Sequence, residues 1–278
     1  MKLDIQGVEF AYTSVPVLND VTVKIEGSKF VSILGPNGVG KSTLIHCINK
    51  ILEPTGGTVL IDDRDVKDIT VKEMAKIVGY VPYSANDSFP LSVVDTVLMG
   101  RHPHSSRKSL DSDLDVVYEV LDKLGILNLA MRPFNELSAG QHQKVMLARG
   151  LAQEPRILLL DEPTSNLDVR HQLDVAKMLR ELSREKDILV IMICHDINIA
   201  AKYSDEIILL SNGTIYATGT PKEVITEKSL EEVYGVRSVV INDDGSPHVI
   251  LKDSISETGD GSEVLDAVNK ETAEETAE

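Results

Sequence analysis

The sequence predicts an α/β fold in which a largely parallel sheet is buried between layers of helices. Three short segments carry this prediction, because Phe30–Leu34, Ile157–Leu160 and residues 188–193 are apolar almost throughout. Such runs are typical of parallel strands that are covered on both faces. Helical segments lie between these runs along the chain, as parallel strands need crossover connections.

The first third of the chain supplies strands on both sides of one conspicuous turn. Residues 3–12 alternate weakly between apolar and polar side chains, and 17–25 follow as a second strand. The run Phe30–Leu34 ends in a Gly-Pro-Asn-Gly turn, and a helix is predicted over 42–50. A strand at 58–61, a helix at 71–76 and a strand at 78–81 complete this part.

The middle of the chain is predominantly helical, which predicts an insertion into the α/β fold. Helices are predicted at 93–99, 112–123 and 141–152, with a polar loop over 100–109. Beyond the strand at 157–160, a helix at 172–184 leads to the strand at 188–193. Strands at 206–210 and 214–218 flank Asn212-Gly213 as a hairpin. Short helices are predicted at 222–225 and 230–234.

Charge divides the chain into two parts. The 278 residues carry a formal net charge of −16, which argues against a phosphate-tracking nucleic-acid surface. Residues 253–278 contribute −8 of that charge, and we expect them to form a disordered acidic tail after a domain over 1–252. The longest fully apolar run has seven residues, and a membrane-spanning helix needs about 20.

The strongest chemical signal is a glycine-rich phosphate-binding loop. It fits the pattern G-x-x-x-x-G-K-[ST] between a predicted strand and a predicted helix. Its members are Gly35, Pro36, Asn37, Gly38, Val39, Gly40, Lys41, Ser42 and Thr43. Backbone N–H groups of such a loop surround a phosphate, Lys41 adds a cation, and the Ser42 hydroxyl is a ligand for Mg²⁺.

A second acidic site follows the apolar strand at 157–160. Asp161 stands at the carboxyl end of that strand, where open parallel sheets bind ligands. Next to a phosphate loop, Asp161 is expected to hold Mg²⁺ through water, and Glu162 to act as the general base toward an attacking water.

With these motifs in place, residues 1–235 resemble the ATP-binding subunits of ABC transporters. The segment Leu137-Ser138-Ala139-Gly140-Gln141 is similar to the signature LSGGQ of that family, with Ala139 in place of a glycine. The segment Ser165-Asn166-Leu167-Asp168 resembles the D-loop. His195 matches the switch histidine, and Tyr12 stands where the family has an aromatic residue that stacks on adenine.

The resemblance implies a fold and a way of working. The fold is a P-loop NTPase with a RecA-like core, an N-terminal antiparallel β subdomain and a helical subdomain inserted at about 84–152. Two copies would face each other head to tail and hold each ATP between one phosphate loop and the other signature. Glu162 and His195 would be the catalytic residues, and Mg²⁺ the cofactor.

One position departs from the family pattern. Where the family has a glutamine after the strand at 78–81, this chain has Tyr83. A phenol is a poorer Mg²⁺ ligand than an amide carbonyl, so we do not assign Tyr83 as a metal ligand.

The string Leu-Met-Gly-Arg at 98–101, followed by His-Pro-His, resembles the ATPase subunits of importers for ferric siderophores, haem or vitamin B12. This implies integral-membrane permease partners, an indirect link to a substrate-binding protein and a place on the cytoplasmic face of the membrane. Alternatives stay open: a non-transport ABC ATPase, an exporter cassette, or a weakly hydrolysing regulatory cassette, which Tyr83 suggests.

Overall fold

The computed structural model describes residues 1–83, 91–104, 110–165 and 167–255. The strands are β1 (Lys2–Ala11), β2 (Pro16–Glu26), β3 (Phe30–Leu34), β4 (Gly56–Ile61), β5 (Arg64–Asp65), β6 (Val78–Val81), β7 (Ile157–Leu160), β8 (Leu189–Ile193), β9 (Glu206–Ser211), β10 (Thr214–Gly219), β11 (Val236–Asp243) and β12 (Ser246–Ser254). The α-helices are α1 (Lys41–Ile48), α2 (Val71–Ile77), α3 (Val93–Leu98), α4 (Leu110–Lys123), α5 (Ala139–Ala152), α6 (Val169–Glu185), α7 (Ile197–Tyr203), α8 (Pro221–Val224) and α9 (Glu227–Tyr234).

The centre of the molecule is a six-stranded sheet with the strand order β10-β9-β3-β8-β7-β6. All neighbouring strands pair in parallel except β10, which returns antiparallel along β9. Every residue of β3, β7 and β8 is buried. The predicted α/β fold is therefore confirmed, and it rests on the same continuous apolar runs.

Two apolar clusters cover the two faces of this sheet. One face, with Phe30, Leu158 and Val190, packs against the helices of the inserted segment and those that follow it. The other face, with Val31 and Leu159, packs against α1 and a separate four-stranded antiparallel sheet of order β2-β1-β4-β5. Alternate residues of one strand therefore enter different clusters, because strand side chains alternate between the two faces.

The helical segment is packed around α3, α4 and α5, and a buried ion-pair network ties its ends together. Arg101, which is 7% exposed, donates from Nε to Asp113 Oδ1 at 3.0 Å. Its Nη1 donates to the Ala152 carbonyl and to Glu154 Oε2, each at 2.7 Å. The short segment after α3 is thus fixed to the start of α4 and the end of α5, because a buried guanidinium requires such partners.

The structure differs from the sequence predictions mainly after residue 195. Helix α7 and the hairpin β11–β12 were not predicted, although Asp244 and Gly245 both have the positive φ of a tight hairpin turn (45° and 87°). Strand β12 extends to Ser254, two residues past the predicted end of the domain at 252. Within the described ranges, no helix is both long and apolar enough to cross a membrane.

Candidate nucleotide-binding site

The glycine-rich loop between β3 and α1 runs against neighbouring backbone that leaves no room for a side chain at two of its glycines. Gly35 has a φ of 146°, and a Cβ on it would stand 2.4 Å from the Leu210 carbonyl oxygen. Gly40 has a φ of 99°, and a Cβ there would stand 2.9 Å from the Val17 carbonyl oxygen. The tight turn that presents backbone N–H groups therefore requires glycine at both positions.

Helix α1 begins beneath this loop without a side-chain cap. Gly40 is its N-cap residue, so no side chain occupies the N–H groups of the first turn, which favour an anion. Lys41 is buried, and its Nζ donates to the carbonyl oxygens of Gly35 at 2.8 Å and Pro36 at 2.7 Å. Burial lowers the pKa of Lys41, while the nearby carboxylates of Glu162 and Asp161 raise it.

Ser42 and Asp161 meet at the carboxyl edge of the sheet. Ser42 Oγ donates to Asp161 Oδ1 at 3.0 Å, and Asp161 stands directly after β7. Burial raises the pKa of Asp161, whereas the Ser42 hydrogen bond lowers it. A hydroxyl next to a carboxylate is an oxygen donor set of the kind that Mg²⁺ prefers, so these residues fit that ion.

Glu162 is held by two neighbours in a strained backbone conformation. Its φ is 50°, which is uncommon for a residue with a side chain. Its Oε1 lies 2.6 Å from His195 Nε2, and its Oε2 accepts from Ser165 Oγ at 3.1 Å. Each carboxylate oxygen therefore has one polar contact.

A cleft of ≈ 490 Å³ brings most of the predicted residues together. It is lined by Tyr12, Val17, Asn37, Gly38, Gly40, Lys41, Ser42, Thr43, Glu162 and His195. Tyr12 is 63% exposed, and its ring packs edge-on against Phe10 at 4.9 Å. Val39 packs against the apolar cluster on the α1 side of the sheet and does not line this cleft.

The signature segment lies apart from the cleft, at the N-terminus of α5. Ser138 and Gln141 form a capping box in which each side chain bonds the backbone N–H of the other. Leu137 packs against the core, and Ala139 is exposed. A Cβ on Gly140 would approach the His171 ring at 3.2 Å. Within one chain, the structure does not bring the signature to the phosphate loop.

The D-loop segment connects Glu162 to α6. Ser165 bonds Glu162, Leu167 packs against the core, and Asp168 caps α6 by accepting from the His171 N–H at 2.9 Å. Asn166 lies outside the described residues. The predicted helix start at 172 is corrected to Val169, because the Asp168 cap begins the helix three residues earlier.

Three residues near the site were not predicted from the sequence. Each lies on a different element, so no local motif connects them. Tyr80 on β6 lies beside Asp161, and burial, with the charge and hydrogen bond of Asp161, raises the pKa of Tyr80 to about 12. His46 Nε2 lies 3.0 Å from the Tyr80 hydroxyl. Burial raises the pKa of Tyr234 to about 12, although a hydrogen bond from the Gly35 backbone lowers it.

Tyr83 is 47% exposed and does not line the described cleft.

A model of the family described as ABC transporter matches residues 18–165. An uncharacterized ABC transporter ATP-binding protein of Methanocaldococcus jannaschii is 47% identical, over 90% of this chain and 98% of its own length. A ferric enterobactin transport ATP-binding protein of Escherichia coli is 37% identical, over 86% and 90%. A cobalamin import ATP-binding protein of Halobacterium salinarum is also 37% identical, over 87% of this chain and 61% of its own length.

Solved structures with the same fold include a chain of a transporter and a chain of a dimeric cassette. A putative metal-chelate type ABC transporter in an inward-facing conformation has a TM-score of 0.78 at 27% identity, with 90% of this chain and 96% of that chain covered. A dimeric bacterial ABC transporter cassette has a TM-score of 0.70 at 29% identity, with 78% and 98% covered.

Proposed function

The chain belongs to the ABC transporter family as an ATP-binding ATPase subunit, and from that premise we propose that it powers a membrane importer. The prediction of an ABC ATP-binding subunit is confirmed by these similarities. The observation that carries the proposal is a cleft lined by Lys41, Ser42 and the Glu162–His195 pair, in which Ser42 also donates to Asp161.

The loop and the residues around it would bind different parts of Mg·ATP. N–H groups of the loop and of the first turn of α1 bind phosphate oxygens, and Lys41 is placed to exchange its two carbonyl partners for the β- and γ-phosphates. Ser42, and Asp161 through water, would hold Mg²⁺, which supplies positive charge for the phosphate oxygens. Tyr12 at the cleft edge offers a face on which adenine can stack.

Glu162 is the residue proposed to activate water. It accepts a proton as the water oxygen bonds to the γ-phosphorus and the bond from that phosphorus to the β,γ-bridging oxygen breaks, which releases ADP and phosphate. Each of its oxygens has one contact, to His195 or to Ser165, and keeps a second lone pair that can accept from the water. His195 would lie beside the γ-phosphate.

A second copy of the chain is the proposed partner at this cleft. The signature segment includes the capped N-terminus of α5 yet lies apart from the phosphate loop of its own chain. Head-to-tail pairing would place Ser138 and Gly140 of each copy on the γ-phosphate held by the other. The similarity to a dimeric cassette supports this arrangement.

A groove beside the helical segment is the proposed docking site for a permease. It has a volume of ≈ 480 Å³ and is bordered by three exposed apolar side chains, Ile51 (53%), Val71 (79%) and Met99 (55%). Exposed apolar side chains grouped around one groove are typical of an interaction surface. Docking there would hold the subunit on the cytoplasmic face of the membrane.

The proposed cargo of the importer is an iron complex or cobalamin, recognised by other subunits and by a substrate-binding protein. This rests on the functions of relatives at 37% identity, which are ferric enterobactin transport and cobalamin import. The acidic composition adds no support for a nucleic-acid partner.

Phosphate release by the isolated chain tests hydrolysis. Glu162→Gln should lower kcat by about 10²–10⁴-fold while ATP binding persists, because only the base is lost. Glu181→Gln, on the exposed face of α6, is the matched control and should keep the wild-type rate. A wild-type rate equal to that of Glu162→Gln would favour the alternative of a weakly hydrolysing regulatory cassette.

Copurification tests the importer assignment. The chain should copurify with a polytopic membrane protein, and Val71→Asp should abolish that association without lowering the ATPase rate of the isolated chain. Retention of the membrane partner by Val71→Asp would contradict the docking groove, and the absence of any such partner would favour a non-transport ATPase.

A further inference from the structure

The first turn of α6 contacts the D-loop segment on one side and the signature segment on the other. Asp168, at the end of the D-loop segment, accepts from the backbone N–H of His171 at 2.9 Å. Nδ1 of the His171 ring lies 2.9 Å from each oxygen of the same carboxylate. Because an ionised carboxylate only accepts, Nδ1 carries the proton of this contact. The D-loop segment therefore holds the imidazole in one orientation.

The other edge of the same ring packs against the signature segment. A Cβ on Gly140 would stand 3.2 Å from His171 Cδ2 and 3.5 Å from its Nε2. Gly140 lies within α5, where the backbone conformation is one that any residue adopts, so the backbone itself does not require glycine there. The His171 ring instead leaves little room for a side chain at this position.

The same turn of α6 also holds the loop that follows Glu162. Nε2 of Gln172 donates to the Thr164 carbonyl at 3.1 Å, and Thr164 lies two residues after Glu162. Two consecutive side chains of α6 thus contact the loop of the chain's own cleft and the signature segment. In the proposed head-to-tail pair, these two segments would belong to different ATP sites.

We propose that His171 is a positioning residue that fixes the signature segment relative to the D-loop segment, so that the signature reaches the ATP held by the second copy. This inference rests on the proposed head-to-tail pairing. A ring held between Asp168 and Gly140 sets the spacing of the two segments, and His171 acts through Gly140 without touching ATP itself. Packed side chains and hydrogen bonds of this kind carry coupling between sites.

ATP-dependent dimer formation is the direct readout, because the signature would contact ATP only in the pair. The parent protein is Glu162→Gln, which slows turnover, and sedimentation velocity with Mg·ATP measures its monomer–dimer equilibrium. Adding His171→Ala should weaken dimer formation about tenfold, as expected for a residue that couples two sites. Binding of a fluorescent ATP analogue to the monomer should stay within about twofold of the parent, because the phosphate loop is unchanged.

Two partial substitutions separate the two contacts of the ring. His171→Asn keeps a donor for Asp168 but removes the ring atoms that meet Gly140, whereas His171→Phe keeps a ring and removes the donor. Both should weaken dimer formation, while a role confined to the first turn of α6 would be preserved in His171→Asn. His248→Ala, at an exposed histidine on β12, is the matched control and should dimerise as the parent does.

Gly140→Ala tests the contact between the ring and the signature segment. The added methyl group would push against the His171 ring, so it should weaken dimer formation when His171 is present. In the His171→Ala background the space is open, and the same substitution should cost clearly less. Additive losses would contradict the contact.

The results that overturn the positioning role differ from those that overturn the pairing. Parent-like dimer affinity in His171→Ala or in His171→Asn would overturn the positioning role alone. If the Glu162→Gln parent binds ATP but forms no dimer with it, the proposed pairing fails, and the positioning role fails with it.

Discussion

Lys41 shows how the site is arranged for a charged ligand. Its ammonium group is almost fully removed from water and is bound by two carbonyl oxygens of its own loop. Carbonyl dipoles stabilise a buried cation less than an anion would. Burial accordingly lowers the pKa of Lys41. A triphosphate supplies the missing negative charge.

Replacing Lys41 tests this reading at the scale of one side chain. Lys41→Ala should weaken ATP binding by about 10- to 100-fold, because hydrogen bonds to charged groups contribute about 1.5–3 kcal/mol. Lys41→Arg should not restore affinity, since the planar guanidinium cannot occupy the same enclosed position between the two carbonyls. Titration with a fluorescent ATP analogue measures both; wild-type affinity in Lys41→Arg would contradict the prediction.

The loop glycines differ in what a methyl group would cost. At Gly35 a Cβ would collide with the Leu210 carbonyl oxygen, whereas at Gly38 (φ 80°) it would meet nothing within 4 Å. Gly38→Ala should therefore cost only the strain of positive φ, about 1 kcal/mol. Gly35→Ala should cost about 2–4 kcal/mol in the free energy of unfolding, because backbone must also move. Urea titration compares the two, and equal losses would contradict the steric argument.

Among the elements, the hairpin β11–β12 is attached in an unusual way. The side-chain amide of Asn198 on α7 donates to the Val249 carbonyl at 3.1 Å and accepts from the Val249 N–H at 2.7 Å. A side chain thus takes the place of a neighbouring strand. Helix α7 begins at Ile197 with Asp196 as its cap, so the hairpin is joined to the helix that follows His195.

Asn198→Ala should loosen this hairpin without unfolding the core. The change leaves both backbone groups of Val249 without their partner, a cost of about 1–3 kcal/mol. Hydrogen exchange of peptides covering 236–254 should accelerate, while β3 and β8 stay protected. Asn242→Ala, at an exposed position on the same hairpin, is the control and should leave exchange near wild type.

An element was predicted well when its own residues, or those next to it in the chain, formed a clear pattern. Strands such as β7 were clear because all their residues are apolar, and α1 followed from the glycine turn before it. Helix α7 is only seven residues long, so it shows too few turns for a helical pattern. The outward faces of β11 and β12 retain apolar residues such as Ile241, so apolar and polar side chains do not alternate clearly along these strands. Tyr80 and His46 were missed because their pairing spans 34 residues of sequence.

At the scale of the whole molecule, much of the negative charge and the residues of the nucleotide-binding cleft lie in different parts of the chain. Residues 256–278 carry eight acids and one base, close to half of the total charge of −16. All the residues assigned to the cleft lie before them. The net charge is therefore a poor guide to what the folded part binds.

Deleting residues 256–278 should leave catalysis intact. ATPase rate and ATP affinity should both stay within about twofold of the full chain, because contributions of distant, independent sites are nearly additive. A large loss of ATP affinity on deletion would show that the tail acts on the cleft. The full chain at the same ionic strength is the control, since removal of seven net negative charges changes long-range electrostatics.

The order of strands in the central sheet also has a consequence during synthesis. Strand β3, which leads into the phosphate loop, lies between β8 and β9, and β8 begins about 155 residues later in the chain. At about 5–20 residues per second, a ribosome needs roughly 8–30 s to supply that neighbour. During this interval the backbone N–H and C=O groups on the two edges of β3 have no strand to pair with. Until then, the N-terminal sheet and α1 are the elements available to cover the apolar side chains on one face of β3.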